Sequence, residues 1–195
     1  KKEIENLYSN SKNLILGMSS TIDDFTNFFA PKKQKEAFLI NQSINEALKI
    51  LNRVLEDENI NIKFDILKDL EIFGLKNELT QVLLNLINNS KDAFIEKKIE
   101  DRVIFISIKK FPNRILIEIK DNAGGVEDDI LDKVFEPYFT TKHKYQGTGL
   151  GLYMTRKIIN SSMGGEISVQ NKKFTHNKKE YKGAEFKIKI PLKLD

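Results

Sequence analysis

The sequence predicts an α+β fold, a two-layer sandwich in which helices cover one face of a mixed sheet, preceded by one long helix. Apolar residues recur every three or four positions in several segments, as they do in amphipathic helices. Other segments alternate apolar and polar residues, as half-buried strands do. With 195 residues, 40% hydrophobic and 31% charged, the chain is long enough for one well-buried domain and an appendage.

The N-terminal segment is predicted to be a single helix. From Ile4 to Phe29 the apolar positions follow one another at alternating spacings of four and three, which is typical of a helix that packs in a bundle. A helix that lies on a globular core is the alternative. Pro31 ends the helix because it lacks the backbone donor. The predicted organisation is a helix over 1–30, a linker over 31–40 and a domain over 41–195.

Within the domain, helical and strand periods alternate. Asn41 is the predicted N-cap of a helix whose apolar face runs from Ile44 to Leu55. Further helices are predicted to begin near Asn77 and Gly149. The predicted strands are Phe38–Ile40, Ile60–Ile66, Val103–Ile108, Arg114–Lys120, Glu166–Gln170 and Ala184–Pro191, the last two joined by a polar hairpin.

Composition excludes several classes of function. The formal charge is +4, but 32 basic and 28 acidic residues are interspersed without a basic stripe, so nucleic-acid binding is not expected. No apolar run approaches the roughly 20 residues that cross a bilayer. The absence of Cys excludes disulfides and thiolate metal sites and favours a cytoplasmic location. The first residue is not Met, which indicates a piece of a longer protein whose membrane anchor could lie upstream.

The first of four motifs is QVLLNLINNSKDA over Gln81–Ala93. On a helix, spacings of four and three place Asn85, Asn89 and Asp92 on one face. Mg²⁺ takes hard oxygen ligands and usually only one or two of them from the protein. We therefore predict that Asn89 binds Mg²⁺ with Asn85 beside it. The alternative is that the asparagines only weaken a helix end.

The second motif is DNAGGV over Asp121–Val126, directly after a predicted strand. Its small residues let the backbone pass close to a flat ligand. The Asp121 carboxylate can accept a hydrogen bond from an exocyclic amine, which adenine has where guanine presents a carbonyl. The motif predicts an adenine site, with a simple turn as the alternative.

The third and fourth motifs are VFEPYFTTK over Val134–Lys142 and GTGLGL over Gly147–Leu152. Glycines that open a helix expose backbone amides to phosphate oxygens. The long irregular stretch before them is typical of a functional lid. Phe135, Tyr138 and Phe139 would anchor this lid. Thr141 and Lys142 would approach the terminal phosphate. Plain core packing is the alternative for the aromatic residues.

In order and wording, these motifs resemble the N, G1, F and G2 boxes of the sensor histidine kinase catalytic domain, in the superfamily shared with gyrase, the heat-shock chaperone and MutL. The match covers about 41–192 and is most similar to the nitrogen-regulator type. The resemblance implies ATP and Mg²⁺ as ligands, and makes the helix over 1–30 the second helix of a dimerisation and phosphotransfer hairpin. The implied ATP-binding residues are Asn85, Asn89, Asp92, Asp121, Gly125, Val126, Phe135, Thr141, Lys142, Gly147, Thr148, Gly149, Leu150 and Gly151.

The sequence departs from the family pattern at three points. The only histidines are His143 and His176, so the phosphate-accepting His of the family is absent and self-phosphorylation at the usual position is not expected. Asn85 stands where the ATPase branches have a Glu base, and an amide cannot take a proton from water. Ala184 stands where Thr is often found, which affects one water contact beside adenine.

The function implied by the resemblance is transfer of the γ-phosphate of ATP to a protein histidine, for relay to an aspartate on a response regulator receiver domain. The intact protein is expected to be a homodimer. Two alternatives stay open. One is a nucleotide-binding signalling module without catalysis, and the other is a serine kinase of the anti-sigma-factor type.

Overall fold

The computed structural model describes residues 34–66, 70–142, 147–176 and 178–192. The predicted helix over 1–30 and His143 lie outside these residues. The described residues form two bodies, one made of 34–132 with 155–192 and the other of 133–142 with 147–154.

The first body begins with a two-stranded sheet. Strand β1, Glu36–Leu39, pairs in antiparallel register with strand β3, Glu71–Gly74. Phe38 of β1 is buried, so this part of the predicted linker belongs to the folded body. Strand β3 was not among the predicted strands, because four residues are too few to show a period of two.

Two amphipathic helices form the apolar layer of this body. Helix α1 spans Ile40–Asp57 and helix α2 spans Lys76–Glu96. Both bury one side, and Ile44 and Leu51 of α1 are buried at the predicted spacing. The Ser43 hydroxyl donates a hydrogen bond of 3.2 Å to the first carbonyl of α2, which ties the two helices together.

The start of α1 differs from the prediction. The helix begins at Ile40 with Leu39 as its N-cap residue, so the prediction of Asn41 as N-cap is wrong. The Gln42 side-chain oxygen accepts a hydrogen bond of 3.3 Å from the Leu39 amide. Gln42, in the first turn, thus satisfies a backbone donor at the start of the helix, although the N-cap residue Leu39 has no polar side chain.

The main sheet has five strands in the order β2-β4-β5-β7-β6. They are β2 (Ile60–Ile66), β4 (Arg102–Lys110), β5 (Arg114–Asp121), β6 (Glu166–His176) and β7 (Lys179–Pro191). The β2 and β4 pair is parallel and the other pairs are antiparallel. Alternate isoleucines of β4 and β5, such as Ile106 and Ile117, are fully buried. The predicted α+β fold with a mixed sheet is confirmed.

The last hairpin is longer than predicted. Strand β6 continues to His176 and β7 begins at Lys179, so residues expected in a polar loop are paired. Phe174 stacks on Tyr181 at 5.6 Å between ring centroids, and the Lys120 ammonium lies 4.0 Å from the Phe174 ring centroid. These aromatic and cation–π contacts stabilise the extension.

Between β5 and the last helix, the described residues 122–142 and 147–150 are irregular, as predicted, with one 3₁₀ turn at Asp128–Ile130. Helix α3, Gly151–Lys157, then continues as a π turn over Ile158–Ser162. The predicted helix near Gly149 is therefore present, two residues later at its start. Across the described ranges, no helix is long and apolar enough to span a membrane.

Candidate functional site

Asp121 ends β5 with a buried carboxylate, 3% exposed. Its Oδ1 accepts hydrogen bonds from the amides of Ala123 (2.9 Å) and Ala184 (3.1 Å), and its Oδ2 accepts one from the Ser90 hydroxyl (3.1 Å). Burial raises the pKa of Asp121, and these donors oppose the rise. A carboxylate has about four acceptor positions, so the donors supplied by the described residues leave room for one more. We call Asp121, Ser90, Ala123 and Ala184 the base pocket.

Gly183 allows β7 to approach the base pocket. A Cβ atom at this position would overlap the carbonyl oxygen of Asp121 and lie 2.8 Å from its Oδ1. Any side chain here would displace the strand that supplies the Ala184 amide. Sequence reasoning missed Gly183, although an isolated glycine inside a strand pattern is a signal for close backbone approach.

Two glycines of the loop after Asp121 adopt a backbone conformation that favours glycine. Gly124 and Gly125 have φ of 80° and 85°, in the left-handed region that favours glycine. The Gly124 amide donates to the Lys182 carbonyl at 2.9 Å. Before the glycines, Asn122 accepts from the Val103 amide at 2.9 Å, so the loop is tied to two strands of the sheet.

Helix α2 carries Asn85, Asn89 and Asp92 on one face, each half-buried. The Asn85 Nδ2 donates to the Thr155 hydroxyl at 3.3 Å, and Asp92 pairs with Lys91 at 3.1 Å. Among the described residues, no group of three or more His, Asp or Glu side chains could hold a metal ion. Amide oxygens on this helix face suit a hard cation that takes few protein ligands. The donor set therefore fits Mg²⁺, and the metal role of Asn89 and Asn85 stays a prediction.

The second body brings the third and fourth motifs together; we call 133–142 with 147–154 the phosphate segment. The Tyr138 amide donates to the Gly149 carbonyl at 3.0 Å. A Cβ atom at Gly147 would lie 2.6 Å from the Thr140 hydroxyl oxygen and 3.1 Å from Cβ of Lys142. A side chain at position 147 would therefore force the Thr140 or Lys142 side chain to move.

The predicted lid aromatics differ in burial. Phe135 is 8% exposed, which fits both an anchoring ring and plain core packing. The Tyr138 ring is 76% exposed, so the prediction that this ring anchors the lid is wrong. Tyr138 contacts the fourth motif through its backbone instead, at a φ of 65° that is unusual for a residue with a side chain.

Hydroxyl groups shape the two turns of the phosphate segment. The Thr148 hydroxyl oxygen accepts a hydrogen bond from the Leu150 amide at 3.3 Å. The Thr140 hydroxyl oxygen accepts one from the Lys142 amide at 3.1 Å. Leu150 is buried and Thr141 is exposed. Gly151 is the first residue of α3, as the predicted helix opening requires.

Comparison with known proteins places the four motifs in one family. The family model described as histidine kinase-, DNA gyrase B-, and HSP90-like ATPase matches residues 74–194, which include every predicted site residue. Sporulation kinase E of Bacillus subtilis is 29% identical over 200 residues, covering 99% of this chain and 25% of that protein. The sensor histidine kinase ZraS of Escherichia coli K12 is 32% identical over 160 residues, covering 82% of this chain and 31% of that protein.

The chain thus spans about a quarter to a third of the length of these two relatives. Among solved structures, the catalytic domain of the histidine kinase ThkA, in a nucleotide-free form, is similar with a TM-score of 0.67 and 28% identity. That similarity covers 82% of this chain and 97% of the ThkA domain.

Proposed function

This chain belongs to the histidine kinase-, DNA gyrase B-, and HSP90-like ATPase family, and we propose that it is the ATP-binding catalytic part of a two-component sensor histidine kinase. The observation that carries the proposal is the buried carboxylate of Asp121, which three donors orient and which retains capacity for one more. The exocyclic amine of adenine supplies such a donor, so the base pocket selects ATP over GTP.

The phosphate groups would be bound by the phosphate segment. Backbone amides of Gly147, Gly149 and Gly151 supply donors without side chains that would block an anion. Thr148 supports this turn, and Lys142 adds positive charge. When bound, Mg²⁺ would neutralise phosphate charge, and the Asn89 and Asn85 oxygens are the groups proposed to hold it.

The acceptor of the phosphate is proposed to lie outside this chain. The ring of His176 packs against the Phe105 ring at 4.9 Å between centroids, in the aromatic cluster of the β6–β7 hairpin. Asn85 cannot act as a base toward water, which disfavours simple hydrolysis. The intact protein would act as a homodimer, with a cytoplasmic catalytic domain, and an aspartate of a response regulator would receive the phosphate.

Calorimetric titration of the chain tests the nucleotide assignment. We expect a non-hydrolysable ATP analogue to bind more tightly with Mg²⁺ than without it, and the GTP analogue to bind at least roughly tenfold more weakly. Equal affinity for the two analogues would contradict the role of Asp121.

The chemical step is tested on the full-length protein that contains this chain. Incubation with γ-labelled ATP should give an acid-labile, base-stable phosphohistidine. An acid-stable phosphoserine on a partner protein would favour the anti-sigma-factor type of kinase. Nucleotide binding without any transfer would favour the signalling module.

A further inference from the structure

The side-chain amide of Asn171, on β6, pairs with the loop that follows Asp121. Its Nδ2 donates to the Val126 carbonyl at 2.6 Å, and its Oδ1 accepts from the Val126 amide at 2.7 Å. Nδ2 also donates to Asp128 Oδ1 at 2.8 Å. Asn171 thus satisfies both the amide and the carbonyl of Val126, as a neighbouring strand would in a sheet.

A second side chain binds the same loop from helix α2. Lys97, the C-cap residue of α2, donates from its ammonium group to the Gly125 carbonyl. A Cβ atom at Gly125 would overlap Oδ1 of Asn171, so the loop can approach Asn171 only because this residue is glycine. The backbone of Gly125 and Val126 is therefore held by one side chain from the sheet and one from the helix.

Asn171 lies in the same row of the sheet as the base pocket. It is directly opposite Ala184 on β7, and the Ala184 amide donates to Asp121 Oδ1 on β5. Neighbouring strands lie about 4.8 Å apart, so Asn171 is two strands from Asp121. The pairing of Asn171 with Val126 thus fixes the loop relative to the carboxylate.

We propose that Asn171 is a positioning residue for base recognition, which holds Gly125 and Val126 in place against the row that contains Asp121, with Lys97 in a supporting role. The proposal rests on the function proposed above, in which Asp121 binds adenine. Asn171 acts through the loop backbone and does not touch the ligand. Its removal should weaken ligands that carry a base and leave a bare triphosphate unaffected.

The test compares two ligands on the whole chain. Calorimetry gives the Kd of a non-hydrolysable ATP analogue and of Mg²⁺-tripolyphosphate for wild type and Asn171→Ala. We expect the analogue to bind roughly tenfold more weakly to the variant, since two hydrogen bonds to the loop backbone and one to Asp128 are lost. The Kd of tripolyphosphate should not change. Asn61→Ala, at an exposed asparagine of edge strand β2, is the matched control and should change neither Kd.

Two further variants keep the test decisive. Asn171→Asp retains the acceptor for the Val126 amide but loses both donations and faces the Asp128 carboxylate, so it should also weaken only the base-bearing ligand. Lys97→Met changes an exposed side chain and should give the same selective loss at roughly threefold, even where Asn171→Ala does not fold.

Three results would overturn the proposal. One is that neither Kd changes in a folded Asn171→Ala variant, or in Lys97→Met if Asn171→Ala does not fold. Another is an equal loss for both ligands, which would mean a general structural role. A wild-type chain that binds neither ligand would instead overturn the proposed function, and this assignment with it.

Discussion

The base pocket and the phosphate segment are built in different ways. In the base pocket, side chains and amides from three elements converge on Asp121 inside the buried layer. The phosphate segment relies on backbone conformation, with φ of 65° at Tyr138 and 66° at Gly149, and much of its surface is exposed. The residues proposed to select the base are thus part of the folded core, whereas those proposed to bind phosphate lie in a segment whose geometry glycine permits.

The largest effect is expected from Gly183→Ala, because the new Cβ would overlap the backbone of Asp121. We expect a loss of about 3 kcal/mol in the free energy of unfolding and no measurable binding of the ATP analogue. Urea unfolding and calorimetry measure the two effects. Gly124→Ala is the control, since its Cβ would meet only the Lys97 side chain at 3.8 Å and should cost about 1 kcal/mol for its left-handed backbone.

Gly149→Ala tests the phosphate segment. Its Cβ would lie 2.7 Å from the Phe139 nitrogen and would disrupt the hydrogen bond between the Tyr138 amide and the Gly149 carbonyl. The ATP analogue and tripolyphosphate should both bind roughly tenfold more weakly, because the shared phosphate contacts are lost. If only the ATP analogue bound more weakly, the phosphate segment would contribute to base binding, and the two regions would not have separate roles.

Two buried carboxylates on neighbouring strands should respond to pH in opposite directions. Burial raises the pKa of Asp121. Burial acts the same way on Glu185, but hydrogen bonds from Lys172, Gln170 and Lys187 outweigh it and lower the pKa of that carboxyl. A carboxyl group whose pKa is raised by folding stabilises the folded state at low pH, and this contribution is lost as the pH rises through the folded-state pKa. A carboxyl group whose pKa is lowered by folding stabilises the folded state at higher pH, and this contribution is lost as the pH falls through the folded-state pKa.

The measurement is urea unfolding between about pH 2.5 and pH 7. The stability of wild type relative to Asp121→Asn should increase as pH falls, over a window that extends upward from the ordinary aspartate pKa. The stability of wild type relative to Glu185→Gln should decrease as pH falls, over a window below the ordinary glutamate pKa. If the two stability differences changed in the same direction with pH, the assignment of Glu185 as ion-paired and Asp121 as held by neutral donors would be refuted.

The smallest effect is expected from Thr155→Val, which removes the hydroxyl that accepts from Asn85. Without it, the amide orientation of Asn85 is less fixed, and the Mg²⁺-dependent part of the ATP-analogue affinity should fall by about 1 kcal/mol. Titrations with and without Mg²⁺ separate this part. Thr155→Ser keeps the hydroxyl and should behave as wild type; equal losses in both variants would point to packing instead.

The sequence was informative where the signal is local. The alternation in Ile60–Ile66 predicted β2 with both its ends, and a strand ending at Asp121 followed by small residues predicted the position of the base-side loop. Strand alternation and turn composition both depend on residues that are close together in the sequence. The roles of Asn89 and the phosphate-segment residues stay predictions.

Contacts between distant segments could not be predicted in the same way. Asn171 and Val126 are 45 positions apart, and Ser90 and Asp121 are 31 positions apart. The residues around Asn171 do not distinguish it from any other polar strand residue. Its hydrogen-bond partner is determined by the order of β5, β7 and β6 in the sheet. Sheet order is set by tertiary packing, which the local period does not encode.

The most direct test of the account is calorimetric titration of wild type and Asp121→Asn with a non-hydrolysable ATP analogue and Mg²⁺. The variant keeps the shape of the side chain but turns an amide group toward donors that need an acceptor. We expect wild type to bind and the variant, still folded by circular dichroism, to bind at least roughly a hundredfold more weakly. Equal affinity in a folded variant would contradict adenine recognition by Asp121.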